Sequence, residues 1–355
     1  MTNPTIPAPA RTWRQRLFEP RTVAGMAPVP AVATYTALVV WTFIVLFPLY
    51  WLFVTSFKLP IQVNDGPDYL PFIDYAPSLH AWRYIFIELG NDTLRPYLNS
   101  VIIAVSSTGL AVLFGSMAAY ALVRIRYRVK LGAVLAFLVL LAGIVTATWV
   151  YGVAWQISVA VGGALFFLFL GTVAKHLKRA LGNNDILFWI ISNRILPPVV
   201  AVLPIYIMFQ QLRLLDTHIA LILTYMAVNL PIVVWLMRDF FAAVPMDLEE
   251  SAEVDGASKI RIFFTIVLPL AKSGLVACAL LVFILAWNEY LLALFLSTAD
   301  AQTMPILVAA QNATRGPQWW YMSVLIIIMI LPVVAITVVL QRYIASGILL
   351  GAVKA

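Results

Sequence analysis

Charge is what this chain has least of: only 11% of its 355 residues are Asp, Glu, Lys or Arg, against roughly a quarter in a soluble domain. A soluble globular enzyme is excluded on that ground. There is one cysteine, Cys278, inside an apolar run, so no internal disulfide can form. The three histidines, His80, His176 and His218, all fall in expected loops, where a solvated imidazole is the simplest reading. No spacing of His, Cys or carboxylates makes a metal site, and neither a metal nor a cofactor is expected. No G-x-x-x-x-G-K-[ST] run occurs, which excludes a phosphate-binding loop of that type. A cleaved signal peptide is not expected either. The first apolar block starts near Val29, behind Arg11, Arg14, Arg16 and Arg21, and is too long for a signal core.

What the chain has instead is apolar length. Hydrophobic residues make up 63% and the mean hydropathy is +0.94. Crossing the hydrocarbon of a bilayer takes about 20 apolar residues, and eight stretches qualify, near 31–55, 97–122, 132–151, 154–174, 186–210, 219–237, 275–296 and 321–341. The third and fourth adjoin closely enough to form a tight hairpin.

The net charge of +7 belongs to topology, because the bases are scattered between apolar runs and form no groove for nucleic acid. Lys and Arg accumulate on the cytoplasmic side of membrane proteins. With both termini inside, that side holds Arg11, Arg14, Arg16, Arg21, Arg124, Arg126, Arg128, Lys130, Lys175, Lys178, Arg179, Arg238, Lys259, Arg261, Lys272, Arg342 and Lys354. The other side holds only Lys58, Arg83, Arg95, Arg213 and Arg315. Arg194 sits at one end of the fifth span, either facing the bundle or, as we prefer, snorkelling to the surface. The external segment from Lys58 to Arg95, rich in proline and aromatics, reads as a compact cap. The later one from Ser297 to Trp320 carries a Trp319/Trp320 pair suited to the membrane interface.

One polar island interrupts the pattern on the cytoplasmic side, at residues 245–270. Pro245 and Asp247 suit the start of a helix. Gly256 suits its end, and Ser258 caps a second helix from Lys259. The first helix carries Asp247, Glu249, Glu250, Glu253 and Asp255 with no base, so its Glu249/Glu253 and Glu250/Glu253 pairs repel and invite a basic partner. The second sets Ile260, Phe263, Phe264 and Val267 at the spacing of one apolar stripe.

The residues Glu250, Ser251, Ala252, Gly256, Ile266, Leu268 and Pro269 resemble the EAA loop of permease subunits in binding-protein-dependent ABC importers, with Ser251 in place of the first alanine. Four further phrases fit the maltose-type carbohydrate branch of that family: FPLYWLFVTSFK from Phe47, NSVIIAVSSTGLAVLFGSMAAYALVRIR from Asn99, RILPPVVAVLPIYIMFQQLRLLDTH from Arg194 and AWNEYLLAL from Ala286. The ending RYIASGILLGAVKA from Arg342 fits as well.

The resemblance implies an all-α, polytopic membrane helix bundle of about eight transmembrane helices: six family helices and an inserted hairpin. Its parts would be a cytoplasmic tail (1–30), the first spans with an external loop (31–128), the inserted hairpin (129–180), the core spans with the EAA loop (181–342) and a cytoplasmic tail (343–355). It also implies a transport subunit, not an enzyme, importing a sugar, polyol or glycoside across a bacterial inner membrane. Its partners would be two copies of a cytoplasmic ABC ATPase docked on the EAA loop, a second permease and an extracytoplasmic solute-binding protein. The external segment 297–320 would either reach into that binding protein or lie flat at the interface.

Polar side chains inside spans are costly and attract functional hypotheses. Here they are Asn229, which with Pro231 is expected to break the sixth span, and the run Trp287, Asn288, Glu289, Tyr290 in the seventh. Amides, carboxylates and aromatic faces suit a carbohydrate pathway. The same residues also suit plain hydrogen bonding between helices. Two other functions stay open. A membrane enzyme acting on lipid-linked sugars would need external acids, and Asp65, Asp68 and Asp74 sit among prolines as in a turn. A proton-coupled carrier would need buried carboxylates, and Glu289 is the one clear example.

Overall fold

The computed structural model of the protein describes residues 12–18, 26–173, 180–195, 197–312 and 316–352. Arg11, Arg21, Lys175, His176, Lys178, Arg179, Arg315 and Lys354 lie outside the described residues, as do most of the 1–30 tail and the end of the 343–355 tail. Two compact units divide the chain: one built from 1–90 and 311–328, the other from 91–310 and 329–355.

The first unit holds α1 (Trp13–Phe18), α2 (Pro28–Thr55), α3 (Pro60–Asp65), α4 (His80–Arg83) and the opening of the last helix. Pro28 starts α2, where its missing N–H costs nothing. The expected cap is present and is organised by a lysine. Lys58 is buried, its Nζ donates to the Asp68 carbonyl and lies 4.7 Å from the Trp51 ring centroid and 5.0 Å from that of Tyr75. Burial pushes this ammonium below its ordinary pKa, while Asp68 and Asp74 pull it back. Tyr75 Oη donates to the Val54 carbonyl, 3.1 Å, and Tyr50 Oη to that of Tyr69, 2.6 Å, so the segment after α3 folds back along α2. His80 is not a loop residue. It opens α4 and is hydrogen-bonded to Tyr321, 3.1 Å.

The second unit runs through α5 (Gly90–Arg124), β1 (Val129–Lys130), α6 (Leu131–Trp149), α7 (Trp155–Thr172), β2 (Ala180–Leu181), α8 (Asn183–Ser192), α9 (Pro198–Gln211) and α10 (His218–Ala242). It continues with α11 (Met246–Val254), α12 (Lys259–Ile262), a π turn (Phe263–Val267), α13 (Leu268–Leu270), α14 (Lys272–Trp287), α15 (Leu291–Leu296), α16 (Met304–Ala310) and the remainder of α17 (Trp319–Ala352). Among the described residues five helices, α2, α5, α6, α10 and α17, are each long and apolar enough to cross a membrane. The other expected spans are shorter or interrupted. α7 and α9 are shorter apolar helices, and α14 is bent by 84° from the 259–270 segment before it.

Several expectations change here for local reasons. The stretch 186–210 is two helices, because Pro197 and Pro198 cannot continue α8 but suit the start of α9. The stretch 275–296 stops at Trp287 and resumes at Leu291. By contrast, α10 runs unbroken through Asn229 and Pro231. Arg194 does not snorkel: its guanidinium donates to the Val228 carbonyl on α10, 3.0 Å. Pro231 removes the N–H that would have served Ala227 next door, so the guanidinium arrives where the α10 backbone is weakest.

α5 and α10 form the spine of this unit and run in the same direction. Asn99 meets His218 at one end. In the middle, a Cβ on Gly115 would stand 2.6 Å from the Cβ of Val233, so only glycine admits this approach. Arg124 meets the Phe241 carbonyl at the other end.

The α6–α7 hairpin begins and ends in one place. β1 pairs antiparallel with β2, and Asn183 donates to the carbonyls of Leu122 and Ile125, 2.6 Å each, while accepting from Tyr127 N–H. Gly162 lies against Ile144, where a Cβ would meet the side chain at 2.4 Å, and α6 has no buried residue.

Candidate functional site

The polar island folds as its punctuation directs. α11 follows Pro245, and Gly256 at φ +83° closes it. Ala257 N–H donates to the Ala252 carbonyl and Gly256 N–H to that of Glu253, both 3.0 Å, the paired 6→1 and 5→2 bonds of a Schellman ending. Ser258 Oγ then accepts from Arg261 N–H, 3.3 Å, and caps α12.

The acids of α11 are not a uniform repelling row. Glu249 is 2% exposed. Its Oε2 accepts from Tyr120 Oη at 2.7 Å, and its Oε1 accepts from Arg124 Nε at 2.7 Å and forms an ion pair with Nη2, 2.6 Å away. Arg124 Nη2 also donates to the carbonyls of Val244, 2.9 Å, and Phe241, 3.2 Å, at the end of α10. One guanidinium thus holds the last turn of α5, the last turn of α10 and the middle of α11. Glu253 pairs with Lys259 across the turn. The expected repulsion of Glu249/Glu253 and Glu250/Glu253 is therefore relieved within the chain. Among the described residues no ion pair is recorded for Asp247, Glu250 or Asp255.

The motif residues separate into two groups. Ala252, Ile266 and Leu268 pack against the core around Val234, Met237 and Phe241. Glu250, Ser251, Gly256 and Pro269 face outward, alongside the exposed apolar side chains of Met246, Leu248 and Val254, the last 88% exposed. The expected apolar stripe also divides. Phe263 and Val267 are buried with Ile262, whereas Ile260 and Phe264 stay exposed. The pairs four apart keep together, Phe263 with Val267 inside and Ile260 with Phe264 outside, so the core boundary runs between them. Ile260 and Phe264 instead line a shallow crevice of about 100 Å³ with Met117, Tyr120, Lys259 and Phe263.

The in-span candidates do not form one polar cluster. Trp287 is 2% exposed, stacked on Phe283, edge-on to Tyr97, and donates to the Met329 carbonyl, 3.1 Å. Asn288 donates to the Ile284 carbonyl of its own helix. Glu289 accepts from Leu292 N–H, 3.0 Å, and caps α15, while Tyr290 is partly exposed beside the break. Asn229 is 5% exposed and donates to the Tyr225 carbonyl, but its Oδ1 has no hydrogen-bond partner among the described residues.

At the far end of α5 and α10, opposite α11, lies a network that composition alone does not reveal. Asn99 donates to the carbonyls of Asp300 and Gln302, 2.9 Å each, so its Oδ1 must accept and His218 Nε2 must carry the hydrogen, 2.7 Å away. His218 is therefore tied into the bundle, not solvated. Asp216, at φ +58°, accepts from the N–H groups of Thr298, Ala299, Asp300 and Ala301. Burial opposes ionisation here, yet the four N–H groups outweigh it and hold this carboxyl well below the usual range. A depressed folded pKa stabilises fully above the ordinary aspartate value of about 3.9, and that stabilisation is lost as pH falls below it. The thermal midpoint of the detergent-purified protein should fall between about pH 5 and about pH 3. Asp216→Asn should start lower and lose less over the same interval.

Comparison with known proteins fits this architecture. The family described as "Binding-protein-dependent transport system inner membrane component" matches residues 168–349. A trehalose/maltose transport system permease protein of Thermococcus litoralis is 30% identical over 318 residues, covering 88% of this chain and 92% of that protein. A diacetylchitobiose uptake system permease protein of Streptomyces coelicolor is 28% identical over 328 residues, 90% and 88% respectively. In fold, the chain superposes on a chain of a bacterial ABC transporter involved in the import of the acidic polysaccharide alginate, with TM-score 0.58 at 19% identity, over 95% of this chain and all of that one. The chain therefore belongs to the family of binding-protein-dependent transport system inner membrane components, and is a multi-pass membrane permease subunit with no enzymatic activity of its own.

Proposed function

We propose that this permease imports a carbohydrate, a sugar, polyol or glycoside, and is driven by a cytoplasmic ABC ATPase that grips the outward face of α11. The observation that carries the reading is the division of the motif. Glu250 and Ser251 are exposed beside Met246, Leu248 and Val254, while Ala252, Ile266 and Leu268 fix the same segment to the core. A mixed acidic and apolar surface fixed to the core, and followed by a 259–270 segment that meets α14 at 84°, is what a partner needs in order to push. The bases Arg124, Arg126, Arg128, Lys130, Arg238, Lys259, Arg261 and Lys272 cluster around the same end and favour its cytoplasmic side.

Two ATPase copies, a second permease and an external binding protein complete the proposed assembly. Carbohydrate is supported by relatives named for trehalose, maltose and diacetylchitobiose. Of the pathway candidates, Asn229 has an Oδ1 without a partner among the described residues. The polar groups of Trp287, Asn288 and Glu289 are already engaged with backbone.

Affinity purification in mild detergent tests the reading: an ATPase with a phosphate-binding loop and a second permease should copurify, and Glu250→Lys should release the ATPase without loss of membrane insertion. Copurification unchanged by Glu250→Lys would refute the docking surface. A binding protein from the same assembly with no affinity for sugars or polyols would refute the solute class.

A further inference from the structure

A short surface helix is normally held by an apolar face, and α11 has little of one: of its apolar side chains only Ala252 packs against the core. Its only fully buried residue is Glu249, a charge, and its neighbours Met246, Leu248 and Val254 point away. Apolar side chains of similar size would hold such a helix about as well, since burying a charge pair costs much of what the pair returns. An ion pair does something packing does not. Nε and Nη2 of Arg124 fix the Glu249 carboxylate from two positions, Tyr120 fixes its second oxygen, and Nη2 reaches on to the carbonyls of Phe241 in α10 and of Val244 just beyond it. Length and direction are set at every contact.

We propose that Arg124, with Glu249 and Tyr120, is the mechanical joint of this permease, a set of positioning residues that makes α11 move as one body with α5 and α10. The proposal rests on the reading that an ATPase pushes on α11. Force applied there passes through the guanidinium to the ends of the two parallel helices. The alternative route, through Asp255–Ser258 into α12, runs over a turn closed by one glycine and a surface ion pair. Without the joint α11 could tilt while the spans stayed still.

The test uses the complete complex of this chain, its partner permease, ATPase and binding protein, reconstituted in liposomes, and reads solute imported per ATP hydrolysed. Two variants are compared. Arg124→Met with Glu249→Met removes the joint and refills its volume with apolar side chains. Glu249→Gln keeps shape and removes charge. Both are expected to retain the ATPase on purification, and the import per ATP is expected to fall about fivefold or more in each.

A role in stability alone predicts that the double variant, once assembled, imports normally. A wild-type ratio in either assembled variant therefore overturns the proposal, as does failure of both variants to assemble, which would make the pair a folding element. A wild-type chain that binds no ATPase would overturn the docking reading and this one with it. A wild-type chain that binds ATPase while its variants stay coupled would overturn the joint alone.

Discussion

Arg124→Ala is expected to destabilise the detergent-purified protein by about 3–5 kcal/mol, the cost of leaving one half of a buried ion pair behind. Glu249, 2% exposed, would be left with only the Tyr120 hydroxyl facing it. The Phe241 and Val244 carbonyls would lose their donor as well. Adding Glu249→Ala should recover part of the loss, because the stranded carboxylate goes with it, so the two changes together cost less than their sum. Thermal unfolding of the four proteins measures this directly. Strict additivity, or a single variant within about 0.5 kcal/mol of wild type, would show that the contact carries little energy.

The second large effect is expected at Gly256, and it should be graded. Nothing lies within 4 Å of a Cβ built there, so volume is not the constraint; φ at +83° is. Left-handed backbone costs an ordinary residue about 1–2 kcal/mol, with asparagine less penalised. Since one or two kcal/mol changes a ratio of populations about 5- to 30-fold, Gly256→Ala should lower the ratio of correctly turned to misturned α11–α12 segment by about that factor, Gly256→Val more, and Gly256→Asn least. Transport and ATPase retention should follow the order Gly, Asn, Ala, Val. An order set by side-chain size, with Asn worse than Ala, would mean that the glycine leaves room for a partner and is not there for its φ.

These two sites differ in how they can be read. Gly256, Ser258 and Pro245 act within a few residues of themselves, so the helix, turn and helix of 245–270 are legible from the chain alone. Glu249 is not, because its partner Arg124 lies 125 residues away. Local charge counting sees only acids and returns repulsion where the folded protein has a buried pair. The Ile260, Phe263, Phe264, Val267 stripe fails for a related reason: spacing marks a common face, but only packing decides that Phe263 and Val267 lie on its buried side and Ile260 and Phe264 on its exposed side. Arg194, placed at a span end, could equally have reached water. What drew it inward is the α10 backbone beside Pro231, which composition does not display.

Apolar length and the scarcity of charge determined by themselves that this chain lives in a membrane as helices, since no other open structure satisfies its backbone there. Local residue order likewise determined the caps and turns of the polar island, which depend on the conformation of one residue at a time. Only the tertiary structure decided which carboxylate is held and which is offered. Glu249 and Glu250 are chemically alike and adjacent, and what separates them is that a helix turns by about 100° per residue, bringing one under the guanidinium of a distant span and leaving the other to the solvent.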